Sequence, residues 1–181
     1  REYYSLILRE TTSPALEDLT PARTGQVRDL ISECWGERAG VSCLDCGCGS
    51  GLGSLLLREC GMRPLSYDND ASLLSLGLSR GRLLPGETMC IDATYASRYC
   101  KGAEAGLGLM FGEINAFNEQ EWEMITAELL ALTKDCLITV GTEREARLIR
   151  SWAEARRFRA EVRENARDPI YDRWVCLIER E

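Results

Sequence analysis

The sequence predicts an α/β fold in which helices cover both faces of a mostly parallel β-sheet. Three observations lead to this prediction: short apolar runs alternate with amphipathic segments, a glycine-rich turn follows an early strand, and two strands joined by a turn end the chain. Alternating strands and helices are typical of parallel sheets, and a final hairpin adds one antiparallel strand. With 181 residues and 45% apolar side chains, the chain is long enough for one such domain.

The strands are predicted from short apolar or β-branched runs bounded by turn residues. These runs are 41–44, 64–68, 87–92, 106–111, 136–141, 158–164 and 171–178. The run 106–111 is apolar, which is typical of a strand buried on both faces. Residues 165–169 are rich in turn formers and are expected to join the last two strands as a hairpin.

The helices are predicted from apolar side chains at helical spacing. They are a segment containing Val27, Leu30 and Ile31, followed by 52–57, 71–78, 118–132 and 143–157. Asp70 is expected to cap the helix that follows it. Asn118 is expected to open the next helix, with Gln120 or Glu121 near a capping-box position.

Composition limits the classes of protein that the chain represents. It contains no run of about 18 apolar residues and its first residues lack a secretion signal, so we expect a cytoplasmic protein with no membrane span. The nine cysteines are odd in number and are not spaced like a small secreted scaffold, which favours reduced thiols. Histidine is absent, so a general base would have to be a carboxylate, Tyr, Cys or Lys.

Charge is unevenly distributed along the chain. The net charge is −7; residues 1–140 carry −8 and residues 141–181 carry +1. Attraction to phosphate backbones requires a basic face, which an acidic body with a balanced arginine-rich end does not supply. Nucleic acid is therefore disfavoured as a partner.

Residues 44–51, Leu-Asp-Cys-Gly-Cys-Gly-Ser-Gly, form the most informative motif. In an open parallel sheet, ligands bind beyond the carboxyl ends of the strands, where this turn is expected to lie. Gly47, Gly49 and Gly51 allow sharp folding and close approach of the backbone to a ligand. The dinucleotide fingerprint fits imperfectly, because its third glycine would fall on Leu52 or Ser54. A nicotinamide-dependent oxidoreductase is thus a weaker alternative.

Asp45 immediately precedes the turn. Its carboxylate would repel a pyrophosphate but attract the cationic amino-acid end of S-adenosylmethionine. The pattern Asp-x-Gly-x-Gly-x-Gly resembles the first motif of the class I S-adenosylmethionine-dependent methyltransferase family. The resemblance implies a three-layer αβα Rossmann-like methyltransferase fold, with a seven-stranded mostly parallel sheet and an antiparallel C-terminal strand. It also implies S-adenosylmethionine as cofactor and S-adenosylhomocysteine as product.

Two further aspartates extend the resemblance. Asp68 ends the second predicted strand about 20 residues beyond the turn, where the family places a carboxylate that binds the ribose. Asp92 ends the third strand, where the family places an aspartate that accepts from the adenine amino group. The implied cofactor-binding residues are Asp45, Cys46, Gly47, Gly49, Gly51, Asp68, Asn69, Ile91, Asp92 and Ala93. Each aspartate alone would more often be an ordinary strand-end or capping residue.

The resemblance also implies where the methyl acceptor contacts the protein, at the end of the fourth strand. There Glu113 is the candidate general base or ligand of a cationic acceptor, and Asn115 would orient it. The alternative is that both residues merely cap the helix near Asn118. The Asn/Asp-Pro-Pro-Tyr sequence of the amino-methylating DNA and RNA enzymes is missing. Because the N-terminal segment often closes over the cofactor in this family, residues 1–24 are expected to form a lid and residues 25–181 the methyltransferase domain.

Two other clusters have competing interpretations. Cys43, Cys46 and Cys48 suggest a thiolate metal site, but Cys43 and Cys46 would face opposite sides of a strand, so core thiols and no metal are favoured. The arginines between 144 and 159 alternate with glutamates, Glu143, Glu145, Glu154 and Glu161 among them. This pattern favours a solvated, ion-paired helix face over an RNA or phosphate site.

The sequence therefore predicts transfer of a methyl group by in-line displacement to a small molecule or to a protein side chain. An RNA methyltransferase is the alternative within the class. A non-catalytic methyltransferase-like subunit that activates a partner is the alternative outside it. Each of these functions is compatible with a homo-oligomer or with a complex that contains a protein partner.

Overall fold

The computed structural model describes residues 14–181 as an alternation of helices and strands. The strands are β1 Ser42–Cys46, β2 Arg63–Asp68, β3 Thr88–Cys90, β4 Ala105–Gly108, β5 Asp135–Val140, β6 Phe158–Glu164 and β7 Trp174–Arg180. The helices are α1 Leu16–Leu19, α2 Pro21–Trp35, α3 Leu52–Glu59, α4 Ala71–Ser79, α5 Glu119–Leu132 and α6 Glu143–Glu154. Short 3₁₀ helices lie at Pro85–Glu87 and Ala93–Arg98. No helix in residues 14–181 is both long and apolar enough to cross a membrane.

The seven strands form one sheet in the order β3-β2-β1-β4-β5-β7-β6. β1 to β5 are parallel, whereas β7 runs antiparallel to both of its neighbours. The predicted fold class, including the single antiparallel strand, is thereby confirmed. Strand order reverses between β1 and β4, so a crevice opens at their carboxyl ends.

Apolar side chains pack on both faces of the sheet. On one face, side chains of β1, β4 and β5 pack against α2 and α3, including Cys43, Leu56 and Leu137. On the other, Cys46 and Ile138 belong to a cluster that includes α5 and α6. The chain therefore folds into three layers, helices, sheet and helices, as the alternation of strands and helices predicts.

Several element boundaries differ from the predicted ones. β4 ends at Gly108 rather than at residue 111, because Met110 adopts a left-handed backbone with φ +56°. β3 is limited to three residues because 3₁₀ helices lie on both sides of it, the second capped by Asp92, and α6 ends at Glu154. Asp70 caps α4 as predicted, with its side chain accepting from the backbone N–H groups of Ser72 and Leu73.

The predicted lid is described only in part, since residues 1–13 lie outside the described residues. Its remainder forms α1 and the first turn of α2, which begins at Pro21. Proline at this position suits a helix start because its missing N–H has no partner within the helix. Residues 14–24 thus lead directly into the first long helix.

The exposed face of α6 carries fewer of the glutamates than predicted, because Glu145 is buried. The ion pairs Arg147–Glu143 and Arg150–Glu154 lie on its exposed face as expected. Glu145, however, is buried at the first turn and accepts hydrogen bonds from the backbone N–H of Ile114 at 2.8 Å and of Thr142 at 2.9 Å. It therefore holds the loop after β4 against α6 instead of forming part of the solvated face.

Candidate functional site

Two adjoining cavities occupy the crevice at the carboxyl ends of the strands. The first, called the outer cavity, measures about 370 Å³ and includes Asp68, Asn69, Asp92 and Ala93 in its wall. The second, called the inner cavity, measures about 350 Å³ and lies against the glycine turn, α1 and the start of α2. Both are lined by Gly47, Asp68, Leu109 and Met110, so they form two parts of one site.

The glycine turn connects β1 to α3 and forms the floor of the site. Gly47, Gly49 and Gly51 have φ angles of +63°, +52° and +88°, in the region that other residues rarely adopt. Cys46, Gly47 and Gly49 line one or both cavities. Gly53, which the motif does not include, is also required: a Cβ there would lie 2.9 Å from both carboxyl oxygens of Asp45.

Asp45 is the most deeply buried acid of the inner cavity, with 1% of its surface exposed. The Ser54 hydroxyl donates to its Oδ2 and also shares a hydrogen bond with the Ser66 hydroxyl. Burial raises the pKa of Asp45 to about 7. A cation bound beside it would favour the carboxylate form, so the position suits a positively charged ligand group.

Asp68, at the end of β2, lies between the two cavities. Its Oδ2 accepts from the backbone N–H of Gly49 at 2.8 Å, and its Oδ1 accepts from that of Asp70 at 2.8 Å. Each carboxylate oxygen can accept two hydrogen bonds, so both retain capacity for a ligand. The carboxyl group is thus oriented by the backbone and remains able to bind neighbouring hydroxyl groups.

Asp92 follows β3 at the rim of the outer cavity. Its Oδ1 accepts from both the backbone N–H and the hydroxyl of Thr94, at 2.8 and 2.7 Å. These bonds lower the pKa of Asp92, so the carboxylate is ionised at neutral pH. Ala93 lines the same cavity, whereas Ile91 packs against the apolar cluster beneath it.

Glu113 and Asn115 lie on the exposed loop between β4 and α5. Asn115 Oδ1 accepts from the backbone N–H of Phe117, and the Asn118 side chain bridges the Glu113 carbonyl and the Asn115 N–H. Neither Glu113 nor Asn115 is among the residues of 14–181 that line the two cavities, and their proposed roles stay predictions.

Three residues at the start of α5 line the outer cavity instead: Asn118, Glu121 and Trp122. From the sequence, Asn118 and Glu121 are predicted only at the start and near the capping box of this helix, and the Asn118 side chain does not cap α5. The signal that could have identified them is their position one turn beyond the loop of the fourth strand. Trp122 also packs on Phe111, with ring centroids 5.1 Å apart.

The described part of the expected lid is bound to the glycine turn through Arg82. Its Nη1 donates to Asp18 on α1 at 2.9 Å, and its Nε donates to the Ser50 carbonyl at 2.9 Å. The Ser50 hydroxyl in turn donates to Glu17. Residues 14–17 thereby form one wall of the inner cavity.

The three cysteines of the motif lie in separate apolar clusters. Cys43 packs with α2 and α3, Cys46 with the opposite face of the sheet, and Cys48 with Leu74 and Leu83. Burial raises the pKa of both the Cys46 and Cys48 thiols, which keeps them protonated. These are environments of core thiols rather than of metal-binding thiolates.

Comparison with known proteins places the fold in a class. No protein-family model matches the chain, and no curated protein matches its sequence. Solved structures do resemble it. Magnesium protoporphyrin IX methyltransferase from Synechocystis has a TM-score of 0.69 at 16% identity, covering 94% of this chain and 87% of that chain.

Two further structures share the arrangement. A protein from Pyrococcus horikoshii has a TM-score of 0.71 at 15% identity. The match covers 100% of this chain and 99% of the Pyrococcus chain. An rRNA methylase from Streptococcus thermophilus has a TM-score of 0.60 at 13% identity, covering 85% and 93% respectively. The chain therefore has the Rossmann-like fold of the class I methyltransferases.

Proposed function

We propose that this protein is an S-adenosylmethionine-dependent methyltransferase. The observation that carries the proposal is the convergence of Asp45, Asp68 and Asp92 on one crevice around the glycine turn. The fold adds support, because two structural neighbours with that fold are named as methyltransferases, one of magnesium protoporphyrin IX and the other of rRNA. The chain's own site supports the cofactor independently of those neighbours, through the chemistry of its side chains.

The residues present fit S-adenosylmethionine. When bound, the cofactor supplies a methyl group on a sulfonium, which is an excellent leaving group. Asp68 offers free acceptor positions on both oxygens for the ribose hydroxyls, and the Asp92 Oδ2, which has no partner in residues 14–181, would accept from the adenine amino group. Asp45 would attract the ammonium of the amino-acid end.

The chain's remaining work is to position two reactants and exclude water. Residues 14–17 form part of the wall of the inner cavity, and we propose that they help to exclude water; Met110 lies where the two cavities meet. The loop that bears Glu113 and Asn115 runs between the cavity-lining residues Gly112 and Asn118. We propose Glu113 as general base or ligand of a cationic acceptor, with Asn115 orienting it.

The acceptor is proposed to be a small molecule or a protein side chain. Five carboxylates line the described cavities, those of Glu17, Asp45, Asp68, Asp92 and Glu121, against one arginine. Three of them are assigned to the cofactor; the other two, Glu17 and Glu121, add negative charge that would repel phosphate groups, which supports an acceptor other than RNA. The alternative of a non-catalytic, partner-activating subunit is favoured by one observation, the absence of Glu113 and Asn115 from the described cavity walls.

Calorimetry with S-adenosylmethionine, S-adenosylhomocysteine and NAD tests the cofactor. Both sulfur nucleotides are expected to bind and NAD is not. Failure of both sulfur nucleotides to bind would overturn the proposal, and binding of NAD alone would favour an oxidoreductase.

Methyl-labelled S-adenosylmethionine incubated with host extract tests the acceptor. Label is expected in small molecules or protein after nuclease treatment of the extract. Label found only in RNA would establish the alternative within the class. Absence of any labelled product, with cofactor binding intact, would favour the non-catalytic subunit.

A further inference from the structure

Arg23 is a buried cation in the wall of the inner cavity. It lies in the first turn of α2 and is only 4% exposed, yet it lines the cavity that also contains Asp45. Among the described residues of that wall, it is the one basic side chain. Burying an arginine is costly unless its charge is paired, so its partner is informative.

The partner is Asp172, a fully buried residue of the β6–β7 connection. The Arg23 Nε donates to Asp172 Oδ2 at 3.0 Å, and Arg23 Nη2 lies 2.9 Å from the same oxygen. Thr139 donates to the other oxygen, Oδ1, at 2.5 Å, and Asn165 donates to the Asp172 carbonyl. The aspartate is thus held from three sides and keeps the guanidinium in one orientation.

The same group of side chains reaches the junction of the two cavities. The Thr139 hydroxyl, which donates to Asp172, also accepts from the backbone N–H of Met110 at 2.8 Å. Met110 lines both cavities and has a left-handed backbone. Arg23 is therefore a rigid part of the site and not a surface side chain that happens to lie near it.

The pairing with Asp172 leaves N–H groups of Arg23 free to donate to a ligand. A guanidinium carries five N–H groups; Asp172 takes the hydrogen bond from Nε, and Nη2 forms the ion pair with the same oxygen at 2.9 Å. No acceptor within residues 14–181 takes a hydrogen bond from Nη1. Planar N–H groups of this kind bind carboxylates strongly.

The inner cavity is thus lined by one cation, Arg23, and by three acids, of which Asp45 is the most deeply buried. A free α-amino acid group carries the complementary pair, a carboxylate and an ammonium. We propose that Arg23, held by Asp172, binds the carboxylate of the ligand's amino-acid end and makes the site selective for ligands that carry it. The inference rests on the proposed cofactor and assigns one of its binding residues.

A purely structural role is the competing explanation. The Arg23–Asp172 pair joins α2 to the β6–β7 connection, as does the bond from Gln26 to the Arg167 carbonyl. If Arg23 only joins these two elements, its replacement should weaken the binding of all ligands of the site to the same extent. If Arg23 binds a ligand carboxylate, its replacement should weaken the binding only of ligands that carry this carboxylate.

The test compares S-adenosylmethionine with decarboxylated S-adenosylmethionine by calorimetry. The unmodified protein is expected to prefer the former by on the order of ten- to hundredfold, as for a hydrogen-bonded charged group. Arg23→Gln should abolish this preference while leaving the affinity for the decarboxylated ligand nearly unchanged. Arg38→Gln is the matched control, because Arg38 pairs with Asp135 at 2.8 Å at the amino end of β5, away from the crevice.

A second variant covers the case in which Arg23→Gln fails to fold. Arg23→Gln combined with Asp172→Asn removes both charges together and leaves no unpaired buried charge, and it should show the same loss of preference. A preference retained in either folded variant, or equal weakening of both ligands, would overturn the inference. If the unmodified protein binds neither ligand, the proposed function itself is wrong.

Discussion

At the scale of single residues, the site depends on how each carboxylate is held. Asp68 is oriented by two backbone N–H groups and keeps free acceptor positions. Asp45 is buried beneath the glycine turn, where no Cβ is tolerated at Gly53. The first arrangement suits hydroxyl groups and the second suits a cation, so two similar side chains have different proposed roles because their surroundings differ.

Asp68→Ala is expected to weaken S-adenosylhomocysteine binding by roughly 1–3 kcal/mol, through loss of buried hydrogen bonds to the ribose. Asp70→Ala is the matched control, since Asp70 caps α4 but lines neither described cavity. The control should lower the free energy of unfolding by about 0.5–2 kcal/mol and leave binding unchanged. Calorimetry and urea unfolding measure the two effects, and equal loss of binding in both variants would contradict the assignment.

Asp45 should make stability depend on pH. Its folded-state pKa is about 7, whereas an unfolded aspartate has a pKa of about 3.9. Between these values the folded protein holds a proton that the unfolded chain has released. The contribution of Asp45 to the free energy of unfolding therefore falls by a few kcal/mol as the pH rises from about 4 to about 7.

Asp45→Asn isolates this effect, because asparagine keeps an acceptor for Ser54 and does not titrate. The difference in free energy of unfolding between the variant and the unmodified protein should change across that pH range, as measured by urea unfolding at each pH. Nearby Asp68 and Arg58 influence the same carboxyl group and are present in both proteins. A difference that is independent of pH would show that Asp45 is ionised throughout.

At the scale of elements, the first turn of α6 determines where the loop after β4 lies. Thr142 and Glu145 form a capping box, in which each side chain accepts from the other's backbone N–H. Glu145 additionally accepts from the backbone N–H of Ile114, 31 residues away. A local helix cap is thereby joined to the loop that carries Glu113 and Asn115.

Glu145→Ala should lower the free energy of unfolding by about 1–3 kcal/mol, because it leaves the buried N–H of Ile114 without a partner. Glu143→Ala, in the same turn, removes only an exposed ion pair with Arg147 and should cost less than about 1 kcal/mol. Urea unfolding of the two variants measures the difference. Equal destabilisation would indicate that the loop is not held by Glu145.

At the scale of the whole molecule, the reversal of strand order creates the crevice, and binding there should stabilise the entire fold. A ligand that binds only the folded state adds about 2.7 kcal/mol at a concentration one hundred times its Kd. For a chain of this size, S-adenosylhomocysteine should therefore raise the Tm by roughly 5–10 °C. Thermal unfolding measures the shift; NAD at the same concentration serves as control, and an equal shift with NAD would contradict the cofactor assignment.

Much of the fold could be predicted because its signals are local. Apolar or β-branched runs identified all seven strands that residues 14–181 contain, and residues 165–169 indicated the final hairpin. Where the observed end of the fourth strand differs from the predicted one, contacts between residues distant in the sequence determine the end. The fourth strand stops early because Met110 adopts a left-handed backbone, and its N–H donates to the Thr139 hydroxyl on β5, a contact that no local pattern encodes.

The same division holds for the site. The sequence by itself determined the glycine turn and the three aspartates, since strand ends and left-handed turns depend on neighbouring residues. Only the tertiary structure decided that Arg23 meets Asp172, 149 residues away, that Glu145 is buried under a loop, and that Asn118 and Glu121 line the outer cavity. The positions of these side chains depend on how separate helices and strands pack. A buried charged side chain is stable only where packing also places a partner of opposite charge or a hydrogen-bonding group beside it.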